Sequence, residues 1–177
     1  MPMRSLALIA IAAFLAPAAF GDPPSPIARA EKGDVQCYQP DTANKTCQSI
    51  ASYRKTPEGK FVNTAIVLVG LKPVVVMTTA TLVSIKNGQV CGPIKQADID
   101  KATYTVDGQP ATPKQVEVLH QQMTDSMATL LNADICTAYV PNGDGLTARE
   151  TVDGVSQPKL DQHVIWVSPS DGYKVAP

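Results

Sequence analysis

Histidine, tryptophan and clustered positive charge are scarce in this sequence, and each scarcity excludes a class of function. The 177 residues include two histidines and one tryptophan, so a histidine-dependent mechanism has His120 and His163 to draw on and nothing else. Lysines and arginines are scattered, with no stretch dense enough to neutralise a run of phosphates, and nucleic-acid binding is excluded. The pattern G-x-S-x-G is missing around every serine, which removes the strand-to-helix nucleophile turn. Gly70, Gly88 and Gly92 each fall at a break between strands, so no glycine-rich loop cradles a phosphate. Short C-x-x-C spacing is missing too, which argues against a zinc site or a dithiol redox centre. Neither a cofactor nor a metal is expected.

The one long apolar run lies at the start. Arg4 supplies positive charge, Leu6 to Phe14 form a core of small and apolar residues, and a processing region follows Pro17. This is the tripartite form of a secretory signal. Small residues at Ala19 and Gly21 suit a cut that leaves Asp22 as the new terminus, with Ala16-Pro17-Ala18 as the alternative. The run is shorter than the roughly 20 residues a membrane span needs. The first cysteine is Cys37, too far on for lipid attachment at the cut. Residues 1–21 are therefore expected to be a signal peptide, residues 22–34, with Pro23, Pro24 and Pro26, a mobile leader, and residues 35–177 one domain. A periplasmic or secreted protein without stable membrane insertion follows.

Four cysteines in an exported chain are read as disulfides, because the compartment is oxidising. Three pairings are open. Cys37 with Cys47 and Cys91 with Cys136 are favoured, closing loops that the chain-entropy model values at about 3 and about 4 kcal/mol.

Along the domain, strands are expected at 49–54, 61–69, 74–85, 89–91, 103–106, 136–140, 146–152 and 163–167. The turn signals between them include Asn87-Gly88, Asp107-Gly108 and Asp153-Gly154. Thr112-Pro113-Lys114-Gln115 opens a helix with a capping hydroxyl, proline at the first helical position and Gln three residues after the cap. Val116, Leu119, Met123, Met127, Leu130 and Leu131 then recur at helical spacing. The order of strands, one helix and more strands predicts an α+β fold, an antiparallel sheet of six to eight strands packed against one long amphipathic helix.

Few residues point to chemistry. Arg149, Asp161, His163, Trp166 and Tyr173 form a candidate binding surface, although strand alternation sends His163 and Trp166 to opposite faces. Asp98 with Asp100, and Asp144 with Glu150, are the paired carboxylates, and their turn-rich neighbourhoods argue for solvated side chains. Asn142-Gly143-Asp144-Gly145 has the composition of a calcium loop without its alternating ligands, and reads as a hairpin. No catalytic residue is assigned. The balance favours a non-enzymatic module that binds an unknown protein or small ligand in the cell envelope. The alternatives are a small hydrolase with its site near His163 and a secreted enzyme inhibitor.

Overall fold

The computed structural model describes residues 25–177, so the expected signal peptide lies outside the described residues. The strands, in chain order, are β1 (Val35–Tyr38), β2 (Thr46–Cys47), β3 (Ser49–Lys55), β4 (Phe61–Leu71), β5 (Val74–Lys86) and β6 (Gln89–Gly92). Helix α1 (Gln96–Asp100), β7 (Thr103–Val106), β8 (Gln109–Pro110) and α2 (Pro113–Met127) follow. The chain closes with β9 (Ile135–Asn142), β10 (Gly145–Val152), β11 (Val155–Ser156), β12 (Gln162–Val167) and β13 (Lys174–Val175).

Eight of these strands pair in a ring in the order β4-β3-β1-β12-β10-β9-β6-β5, and β5 pairs back onto β4. The result is a closed antiparallel barrel. Local turn chemistry makes the hairpins: Asn87 and Gly88 both take positive φ, 50° and 75°, as a two-residue hairpin turn of this hand requires. Closure depends instead on two distant pairings, β1 with β12 and β6 with β9. With both made, the barrel has no unpaired edge along its wall.

The expected α+β sheet packed on one long helix is therefore corrected. Helix α2 begins where predicted, with the Thr112 hydroxyl accepting from the Gln115 amide and the Gln115 side chain returning to Thr112. It stops at Met127, and Leu131 instead bridges to Ile94. None of its residues is fully buried. Physically, a sheet needs a helix only if one of its faces is left open, and a barrel covers its inner face with itself. The apolar stripe on α2 packs at one side, where Val116, Leu119 and Met123 meet the Val75, Met77, Ala102 and Tyr104 cluster.

Pairing register and alternation determine which side chains enter the barrel. The row Gln36, Ala51, Ala65 and Thr79 runs across β1, β3, β4 and β5, and the next row on one side holds Tyr53, Asn63 and Thr81. On the other side of that row stand Val67 and Met77. Across the ring, Thr137 faces Glu150 and Tyr139 faces Ala148.

One part of the interior is filled by Ile27, Ala30, Phe61, Val83 and Val90, with Tyr53, Tyr139 and Trp166 against them. Residues 22–34 were expected to stay outside the core. Within the described part, 25–34, Ile27 is fully buried, a short 3-10 turn at Ala30–Lys32 lies on β3, and the Arg29 guanidinium sits 5.9 Å from the Trp166 ring centre. A lone isoleucine among prolines and charges gave no periodicity to signal this.

The structure joins Cys37 to Cys47 and Cys91 to Cys136, the pairing favoured from the sequence. The first bridge packs outside the barrel wall with Val167, Ile50, Ile165 and Tyr173. The second links neighbouring strands β6 and β9 at directly opposed positions. Two disulfides point to an oxidising, extracytoplasmic setting. Among the described residues no helix is long and apolar enough to cross a membrane.

Candidate functional site: the barrel interior

Small side chains leave the middle of the barrel partly empty. Where Ala65 stands, the wall contributes a methyl group in place of a branched chain, and a cavity of ≈ 320 Å³ opens beside it. Eight strands give an interior just wide enough to be filled by side chains or to hold one small molecule. Here the filling is incomplete. Val67, Val69, Met77, Ile94, Ile99, Met123, Met127 and Ile135 form an apolar wall, and α1 and α2 supply part of it.

The rest of the lining is polar. Tyr38, Tyr53, Asn63, Thr79, Thr81, Thr137 and Tyr139 all face the same cavity. Gln36 is fully buried, and its Oε1 accepts from the hydroxyls of Tyr38 at 3.1 Å, Tyr53 at 3.0 Å and Tyr139 at 3.1 Å. The Tyr139 oxygen also lies 2.7 Å from that of Tyr38 and 3.1 Å from that of Tyr53. A carbonyl has two lone pairs, so the phenols share it and one another. Among the described residues the Gln36 Nε2 atom has no partner, and neither has the Asn63 Oδ1 atom. Turning the Gln36 amide over would merely leave its oxygen unpaired.

Burial raises all of the phenol pKa values, those of Tyr38 and Tyr53 well above the ordinary value. Glu150 lies close to this cluster. Both of its carboxylate oxygens are 3.0 Å from the Thr137 hydroxyl, which donates to them. Burial, reinforced by the neighbouring Asp161 carboxylate and opposed by the Thr137 hydrogen bond, pushes Glu150 up to about 7. It therefore changes charge near neutrality.

The surface candidates do not converge. His163 and Arg149 are exposed on the outer face of β12 and β10. Asp161 accepts from the Glu150 amide at 3.3 Å, Trp166 turns inward under Arg29, and Tyr173 packs on the Cys37–Cys47 bridge. His120 is half-buried, with Nε2 3.2 Å from the Ala102 carbonyl and its ring edge-on to Tyr104, a contact that ties α2 to β7.

The sequence reading missed Glu150, which it placed among solvated turn residues. Cross-strand alternation from Ala148 was the available signal, since both residues fall on one face. Asp144 is exposed, as that reading held, while Asp98 accepts from the Lys95 amide at the start of α1. A serine three residues before a lysine, also missed, occurs at Ser52 with Lys55 and at Ser156 with Lys159. In β3 residues three apart face opposite sides, and Ser156 is exposed. Neither pair makes an activated nucleophile.

No family model, no curated protein and no solved structure matches this chain.

Proposed function

We propose that this protein is an exported, non-enzymatic binding module of the periplasm or the extracellular space that holds one small, largely apolar molecule inside its barrel. The observation that carries the reading is the cavity beside Ala65, which is of the size small-molecule sites have and combines an apolar wall with a few convergent polar groups. Native packing leaves few voids larger than a water molecule. A space this large leaves apolar side chains open to water, and a ligand covers them. The hydrolytic alternative near His163 gains no support from exposed side chains that do not meet, and the inhibitor alternative has no particular observation in its favour.

The test is to fill the space. Ala65→Trp puts an indole into the cavity from a strand whose backbone need not move. Binding of the neutral apolar fluorophore N-phenylnaphthylamine should be lost, while far-ultraviolet circular dichroism and cooperative unfolding persist. Equal binding by the folded variant and the parent chain would place the fluorophore elsewhere and defeat the proposal. Native mass spectrometry of protein purified from its source gives an independent readout, with a bound mass below about 500 Da expected for a ligand of this class.

A further inference from the structure

We infer that the molecule held in the barrel carries a head group that donates hydrogen bonds and bears no negative charge, a hydroxyl or an amine, seated at Asn63 beside the tyrosine cluster with its apolar body toward Met123 and Met127. The inference rests on the interior-binding reading above and specifies the ligand class. Its first support is the distribution of charge. Among the described residues no lysine, arginine or histidine lines the cavity, whereas Asp98 does and Glu150 stands behind Thr137. An anionic head would be buried with no cation to pair it, and its desolvation would go uncompensated.

The second support is a count of protons. Each phenol has one, and all are directed within the cluster, onto Gln36 Oε1 or a neighbouring phenol. What the cluster presents outward is oxygen lone pairs, which accept. The Asn63 carboxamide lines the cavity as well, a polar group whose oxygen is enclosed without a partner among the described residues. Leaving such a group unpaired is costly, and a hydroxyl or amine on the ligand that draws the carboxamide round removes that cost. A fatty alcohol or a fatty amine satisfies these acceptors, and a fatty acid ionised at neutral pH does not. The carboxylate of Glu150 favours the amine further where it is ionised.

The experiment uses the full chain and three ligands with one tail: decanol, decylamine and decanoate, each displacing N-phenylnaphthylamine at pH 8 below its micelle-forming concentration. Decanol and decylamine are expected to displace it at concentrations about tenfold or more below that of decanoate. Asn63→Lys supplies the missing cation and should shift the preference toward decanoate. Should that variant fail to fold, Thr81→Lys places the charge at the cavity-lining position paired with residue 63 and makes the same prediction. Decanoate binding as well as the others, or no change of preference in a folded lysine variant, overturns the head-group assignment while leaving interior binding intact. Failure of the fluorophore and all three ligands to bind at all defeats the interior-binding reading instead.

Discussion

Glu150 gives the sharpest test of the interior's electrostatics. In the unfolded chain its carboxyl has an ordinary value of 4.5, and in the folded barrel burial raises it to about 7. The folded state therefore holds a proton that the unfolded state releases as pH climbs through this window. Stability must then fall with rising pH between about 4.5 and about 7, and level off above. At about 1.4 kcal/mol per pKa unit the loss approaches 3.5 kcal/mol, an upper figure because the side chain keeps some contact with solvent. Glu150→Gln keeps an acceptor for the Thr137 hydroxyl and removes the ionisation. Urea unfolding of both proteins at intervals from pH 4.5 to pH 8 isolates the effect, since every other titrating group is common to the two. The variant should match the parent within about 1 kcal/mol at the acid end and exceed it by about 2–3 kcal/mol at pH 8. Parallel stability curves across the whole range would refute the claim that this carboxyl is buried as described.

Other perturbations follow from particular contacts. A Cβ added at Gly145 would stand 2.5 Å from His163 Cε1 and 2.7 Å from the Val164 carbonyl oxygen; Gly145→Ala should cost about 1–3 kcal/mol in thermal unfolding, and no loss would show that β10 and β12 are not so close. Thr112→Ala removes the cap at the start of α2 and should cost about 1 kcal/mol, read as faster amide hydrogen exchange in the first turn. Replacing Cys91 and Cys136 together by alanine should lower stability by about 4 kcal/mol, with a smaller loss marking strain or residual order in the reduced chain. In an alkaline absorbance titration, Tyr38 and Tyr53 should ionise well above the ordinary phenol value, and folding should weaken as they do, because the charged form is tolerated only in the unfolded chain. Ordinary ionisation of all tyrosines in a folded sample would contradict their burial.

Much of the local structure was legible. The strand expected at 103–106 occurs at those positions, and those expected at 49–54, 61–69 and 74–85 extend by one or two residues, because alternation and turn residues act over a few neighbours. Closure was not legible. The pairings of β1 with β12 and of β6 with β9 join segments separated by long intervals, and an open sheet and a closed one share the same alternation. The cavity was hidden for a related reason. Ala65 is an unremarked small residue until register sets it among Val67, Thr79 and Met77 on the inner face, and Gln36, Tyr53 and Tyr139 become one cluster only when their strands share an interior. Surface aromatics and the lone histidine of the last long strand drew attention because of residue type alone, which says nothing about the direction a side chain takes.

The Cys91–Cys136 bridge spans a segment that contains both α-helices and the small β7–β8 hairpin, none of which belongs to the ring of eight. The ring is thus sutured on either side of an appended flap. A protease nick within that flap would leave two polypeptides, yet one covalent molecule with its wall uninterrupted. Such a layout lets the appended segment drift in length and composition over time without unravelling the container it is fastened to.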